Sequence, residues 1–185
     1  MSKANSVKAG EYELVIYQKV SVGTGNQANN PWLQELPDPI SKVTWDNYAI
    51  MSPILAKAIL GLDVIGSQYQ GDGYEVHPEK PTIKVTVNGK TLELPVLILP
   101  GVHPDVIAVA LGYGRESANK NNSIEYIGRS ATGAGFNAYP FVGFDGTGFS
   151  YSAAVDIAKT GNTYPLGQTQ VHGSSESRPI LFETN

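Results

Sequence analysis

The residues best placed to do chemistry are His103 and Arg115. They lie in one segment, Pro100-Gly101-Val102-His103-Pro104-Asp105-Val106-Ile107-Ala108-Val109-Ala110-Leu111-Gly112-Tyr113-Gly114-Arg115. A Pro-Gly turn leads into His103, an apolar strand-like run follows, and a second glycine turn ends in a lone cation. A loop of this kind, at the exit of a buried strand, can bring backbone amides and one arginine close to an anionic group. Gly112 to Arg115 reads as an anion-binding nest, although its spacing fits neither a P-loop nor a dinucleotide fingerprint. The same residues equally suit a plain barrel strand that ends in a tight turn. His103 has the same two readings: a group contacting cofactor or substrate at a barrel mouth, or a turn histidine bonded to backbone.

Two further segments carry polar side chains in suggestive patterns. Gly133-Ala134-Gly135-Phe136-Asn137 reads as a backbone-approach loop with one amide to read a ligand edge, or as a flexible loop whose Asn caps a turn. His172 with Ser174, Ser175 and Ser177 invites a nucleophile reading, but no G-x-S-x-G elbow exists and nothing sets a base against a serine. Glu11 and Glu13 share a strand face, which an exposed edge explains better than paired acid–base work. Cysteine is absent, which excludes an iron–sulfur cluster or a disulfide in this chain. His77, His103 and His172 are too scattered in sequence to match a zinc-ligand spacing.

The elements that must position these groups are mostly strands. Glu11 to Tyr17 is β-branched and aromatic and reads as a strand. Ser21 to Pro31 is a polar loop. Asn30 to Pro39 carries enough proline to hold at most one helical turn, which Trp32, Leu33 and Leu36 are spaced to anchor onto a core. Val43-Thr44-Trp45 is short and β-like, and Asp46 or Asn47 could cap a helix. A stronger start is Ser52-Pro53, with Ser at the N-cap and Pro at N1. The apolar period of Ile54, Leu55, Ala58, Ile59 and Leu62 then predicts a helix over about 53–60, stopped by Gly61.

Asp63 to Pro81 reads as loop. Thr82 to Val87 alternates, Asn88-Gly89 is a hairpin signal, and Lys90 to Val96 returns as the partner strand. Val102 to Leu111 is nearly all apolar, hence a buried strand. Gly114 to Ser123 and Phe141 to Gly148 are loop-like. Ser152 to Ile157 is a strand or a short helix, and Gly167 to His172 and Arg178 to Phe182 are further strands. Residues 1–10 form a polar, flexible N-terminal segment, and 11–182 form one domain without repeats or linkers.

Composition agrees with a mainly β (α+β) fold: 20 glycines and 12 prolines in 185 residues favour short strands and turns over long helices. Only 16% of residues are charged, which suggests that part of the surface is covered by a partner. The net charge of −4, with lysines and arginines scattered singly, argues against nucleic acid. The apolar runs, such as Leu94 to Pro100, are far short of the ~20 residues of a membrane helix, and no signal peptide is visible.

Three segments taken together resemble a known family. They are Asn30-Pro31-Trp32-Leu33-Gln34-Glu35-Leu36-Pro37-Asp38-Pro39 with Lys42-Val43-Thr44-Trp45-Asp46-Asn47-Tyr48, then His103-Pro104-Asp105-Val106 to Gly112-Tyr113-Gly114-Arg115, and then Gly135-Phe136-Asn137-Ala138-Tyr139-Pro140 followed by Tyr164 to His172. In order and spacing they are similar to the C-terminal part of the molybdopterin-oxidoreductase-like region in the iron–sulfur subunit of bacterial alternative complex III, a quinol–electron acceptor oxidoreductase. The resemblance spans residues 11 to 182.

That resemblance implies a double-psi β-barrel like the one that closes molybdopterin enzymes. By position, His103, Gly112, Tyr113, Gly114, Arg115 and Asn137 match the loops that contact the pterin in active relatives. The complex's own subunit resembles a molybdopterin enzyme without molybdenum cofactor, with electrons running through an iron–sulfur domain C-terminal to this region. The implied role is a non-catalytic structural domain, an excised part or truncated homologue that needs no cofactor of its own. Its partners would be the remainder of the parent subunit, including that iron–sulfur domain, and other subunits of a membrane-associated complex on the periplasmic side of the bacterial cytoplasmic membrane. A pterin-binding half-site for molybdopterin and a stand-alone β-barrel binding module are the alternatives.

Overall fold

The computed structural model describes residues 12–116 and 128–171. Strands dominate: β1 (Tyr12–Tyr17), β2 (Ala49–Met51), β3 (Glu79–Val87), β4 (Lys90–Ile98), β5 (Val106–Ala110), β6 (Gly143–Phe144), β7 (Phe149–Ser150) and β8 (Ser152–Pro165). Six of them close a barrel in the order β1-β5-β2-β4-β3-β8. Pairing is mixed: β1 runs parallel to β5 and β2 parallel to β4, while the other contacts are antiparallel. β6 and β7 form a separate hairpin.

Alternation along the strands decides what fills the barrel. Leu14 and Ile16, Ala49 and Met51, Ile83 and Val85, Leu94 and Val96, and Ile107 and Val109 belong to one buried cluster. Some residues at intervening positions pack outside the wall, under connecting segments. Leu97 joins Val43, Tyr48 and Leu166, and Ala110 joins Val22 and Tyr113. The chain from 19 to 48 is therefore a second layer over part of the barrel wall.

The local signals that hold are those with a mechanism of their own. Helix α2 (Pro53–Leu60) starts on Ser52, whose hydroxyl accepts from Leu55 N–H, and stops at left-handed Gly61. Asn88 and Gly89 have φ of 49° and 76°, the positive pair of a type I′ turn, and join β3 to β4 in register from Val87↔Lys90.

Several expectations need correction. The stretch 63–81 is not all loop: α3 (Gln68–Val76) starts on an Ser67 cap, and β3 begins at Glu79. Tertiary contacts override the glycine signals there. Tyr74 hydroxyl donates to Val96 carbonyl and accepts from Ile98 N–H, and Gly71 lies where a Cβ would come within 2.7 Å of Val64 carbonyl. Pro81 is accommodated because the β3–β8 register shifts between Pro81 and Ile83, a place where a missing N–H costs nothing.

The turn α1 (Pro31–Glu35), capped by Asn30, is present, but Trp32 and Leu36 do not anchor it. Trp32 is 81% exposed and Leu36 is exposed, while Gln34 is buried. Val43 makes a single bridge to Gln168, so neither Val43–Trp45 nor 167–171 is a strand. Asp46 and Asn47 cap no helix. The 152–157 segment is strand, extending to Pro165, and the buried strand predicted over 102–111 is confined to Val106–Ala110. Glu13 pairs with Val106 on one side and Ala154 on the other, so β1 is no edge. Residues 1–10, Glu11, His172, the three serines after it and the predicted strand 178–182 lie outside the described residues.

Candidate functional site

β5 separates the two halves of the first candidate segment. His103 precedes it and Gly112–Arg115 follow it, so they occupy opposite ends of a strand about 17 Å long at ~3.3 Å per residue. His103 is exposed; its Nδ1 accepts from Asp105 N–H at 3.2 Å and lies 3.9 Å from the Asp105 carboxylate. It is a turn histidine bonded to backbone.

Gly112–Arg115 and 133–137 do come together, against the turn at 23–25. A Cβ on Gly114 would sit 2.0 Å from Asn137 N and 2.4 Å from Phe136 C, and one on Gly112 2.8 Å from Gly23 carbonyl. The close approach that these glycines permit is to the chain's own backbone. Gly114 N–H donates to Ala134 carbonyl at 2.8 Å, and Arg115 Nη2 to Gly25 carbonyl at 2.8 Å. Asn137 Oδ1 accepts from Tyr139 N–H at 3.1 Å, closing a short turn before the 3₁₀ segment Tyr139–Phe141.

Two residues read as helix caps hold this loop in place. Fully buried Asn47 donates through Nδ2 to Ala110 and Phe136 carbonyls, and its Oδ1 accepts from Phe136 N–H. Asp46 Oδ1 accepts from Gly135 N–H and from Tyr164 hydroxyl, both at 3.1 Å. Burial raises the Asp46 carboxyl above the usual range, and these bonds partly offset it. Burial and the adjacent Asp46 push Tyr164 up to about 12. Beside this loop opens a cleft of about 430 Å³ lined by Trp45, Asp46, Arg129, Ser130, Thr132 and neighbours.

Beneath Asp46, between the barrel wall and the outer layer, lies a buried polar network. Lys19, 5% exposed, donates to Asp46 carbonyl at 2.7 Å. Its ammonium stands 4.2 Å from the Tyr48 ring centroid and 5.2 Å from that of Tyr113, a double cation–π contact. Burial pulls it down to about 8, against the pull of Asp38 and Asp46. Tyr48 hydroxyl bonds Ser41, which donates to Asp38 at 3.0 Å. Burial pushes the phenols of Tyr17 and Tyr48 far up and that of Tyr113 to about 12. A raised carboxyl beside a lowered lysine is the raw material of acid–base chemistry, but this ammonium is sealed under two rings and bonded to backbone. Its geometry is that of a structural peg.

A second cleft of about 650 Å³ shares Tyr164 with the first and runs along the outside of the wall over Phe136, Asn162, Thr82 and Glu93. Phe136 and Tyr164 pack edge to face, 5.2 Å between centroids. Glu93 Oε1 accepts from Thr82 hydroxyl at 2.6 Å and Asn162 Nδ2 at 2.9 Å; these bonds hold its carboxyl below the usual range. On another face, buried Lys80 donates to the Tyr74 and Glu75 carbonyls at the end of α3 and is brought down to about 8, chiefly by burial.

Sequence reasoning thus found the loops at one barrel end but not what fastens them: Asn47, Asp46, Lys19 and Tyr164. The Trp45-Asp46-Asn47-Tyr48 run was the one available signal, a polar pair between aromatics just before a strand. Among the described residues no three His, Cys, Asp or Glu side chains cluster to hold a metal ion, and no helix is long and apolar enough to cross a membrane. In comparison with known proteins, no family model matches the chain and no curated protein is significantly similar to it.

Proposed function

We propose that the chain is a non-catalytic structural domain of a large iron–sulfur, molybdopterin-like oxidoreductase subunit in a respiratory electron-transfer complex, and that its barrel is of the double-psi type. In this reading it packs against the rest of its parent subunit, including a C-terminal iron–sulfur domain, and against other subunits on the periplasmic side of a bacterial membrane. The mixed six-stranded barrel is compatible with that architecture. Val20, Trp32 and Ile40, each more than three-quarters exposed on the outer layer, supply apolar surface for such a contact.

One observation carries the non-catalytic reading: the groups at the cofactor-facing positions are engaged with the chain itself. A pterin pyrophosphate needs converging donors. Arg115 reaches Gly25 carbonyl, Gly114 N–H reaches Ala134 carbonyl, Asn137 closes its own turn, and His103 lies beyond the far end of β5. This set does not suit the cofactor. A second reading, a pterin-binding domain of an active molybdopterin enzyme, draws on Arg129 and Ser130 at the 430 Å³ cleft.

Metal and pterin content of the intact parent complex separates the two. Iron without molybdenum, tungsten or extractable fluorescent pterin is expected. Stoichiometric molybdenum or tungsten with pterin would overturn the scaffold reading and make Arg129 and Asn137 the first residues to substitute.

A further inference from the structure

The groove formed by the two clefts that share Tyr164 is built from groups that the scaffold reading does not use. Its floor carries the Phe136–Tyr164 ring pair, and each cleft holds one carboxylate, Glu93 in the larger and Asp46 in the smaller. Both carboxylates are oriented by the chain: Oε1 of Glu93 by Thr82 and Asn162, and Oδ1 of Asp46 by Gly135 and Tyr164. Thr160 also bonds Glu93, and the charges of Lys84 and Lys19 bear on Glu93 and Asp46 respectively. Among the described residues, no ion pair engages either group, although Lys84 stands opposite Glu93 in the β3–β4 ladder and Arg129 lines the smaller cleft.

The spacing comes from β8. Asn162 and Tyr164 are two residues apart in β8, with Asn162 in the irregular stretch where the β3–β8 register shifts. Glu93 is held by the first of these and Asp46 by the second, so the two carboxylates lie at different points of the groove. Two anionic ends separated by an apolar, π-rich floor match a molecule with two cationic ends and an alkyl middle. Each cleft, of about 650 and 430 Å³, falls in the range of small-molecule sites.

We propose that this groove binds a short organic dication, an alkyldiamine or polyamine, with its ammonium groups on Glu93 and Asp46 and its methylenes over Phe136 and Tyr164. Neither the barrel's place in a larger assembly nor a pterin is required for it.

The test is a titration of the isotope-labelled 185-residue chain with putrescine at low ionic strength, followed by NMR. Shifts concentrated at Gly135, Phe136, Asn162 and Tyr164 are expected, and Glu93→Gln, which keeps an acceptor for Thr82 and Asn162, should weaken binding about tenfold. Asp46→Asn should do the same; if it fails to fold, Glu93→Gln decides alone. Butylamine, with one cationic end, should bind more weakly than putrescine. Shifts spread over the acidic surface and unchanged in Glu93→Gln would overturn the proposal. So would equal binding of butylamine, or displacement of putrescine by magnesium at equal concentration.

Discussion

The side chain of Asn47 bonds both backbone groups of Phe136, its Nδ2 donating to the carbonyl at 2.9 Å and its Oδ1 accepting from the N–H at 2.7 Å. The amide thereby acts as a one-residue strand neighbour, tying a loop 89 residues away to the exit of β5, where Nδ2 also reaches Ala110 carbonyl at 2.8 Å. Asn47→Ala leaves these buried groups unpaired, at about 1–3 kcal/mol each before relaxation. A loss of roughly 2–4 kcal/mol in urea unfolding with unchanged m is expected. Asn47→Asp should be worse, because it removes the donor and puts a second carboxylate beside Asp46. Wild-type midpoints in both would show that the loop is held by other means.

Two glycines with positive φ should respond very differently to alanine. At Gly89 (φ 76°) an added Cβ meets nothing within 4 Å, so the cost is backbone strain alone, about 1–2 kcal/mol. At Gly114 (φ 68°) the same methyl would collide with backbone atoms of Phe136 and Asn137, and the loop must move. The loss should be roughly 3 kcal/mol or more, with the indole emission of Trp45 altered as well. Equal denaturation midpoints for the two variants would contradict the close packing of 114 on 136–137.

What was legible in the sequence was what is decided within a few residues. Ser52-Pro53 fixes a helix start and Asn88-Gly89 a turn because hydroxyl capping and positive φ are local demands. The alternation of 82–87 and the apolar run at 106–110 gave the barrel its walls. Asn47 reads as a cap because an Asn before an apolar run has that form, whereas its partners lie 63 and 89 residues away. α3 was missed for the same reason: Tyr74, bonded to Val96 and Ile98 across 22 and 24 residues, holds a helix that two glycines would otherwise disfavour. At the candidate site, sequence located the loops meeting at one barrel end, while only topology shows that His103 belongs to the other.

The spacing of Trp32 predicts an anchor for α1, yet its side chain is exposed. Trp32→Ala should leave folding stability within about 0.5 kcal/mol, as for an exposed site without special geometry. If the outer layer packs against the parent subunit, the same substitution should release the domain: co-purification of the intact complex should fall while the isolated chain melts as before. A large drop in the melting temperature of the isolated chain would show that Trp32 packs within the domain after all.

The buried lysines and tyrosines give stability an alkaline maximum. Lys19 and Lys80 titrate at about 8 in the folded chain against 10.5 in the ordinary case. Between those values the unfolded chain holds protons that the folded chain has released, so stability rises with pH across this window. The tyrosines act in the opposite sense. Tyr113 keeps its proton to about 12 against the usual 10.0, and Tyr17 and Tyr48 are raised further by burial. Above pH 10 the folded chain holds more protons, and stability falls as pH rises. Thermal unfolding should therefore show a melting temperature that climbs from about pH 8, peaks near 10 and then drops. Lys19→Met should reduce the climb to what Lys80 supplies, and Lys19→Met with Lys80→Met should remove it while leaving the drop. A wild-type melting temperature that is flat or falling between pH 8 and 10 would mean that neither ammonium is disfavoured by its burial.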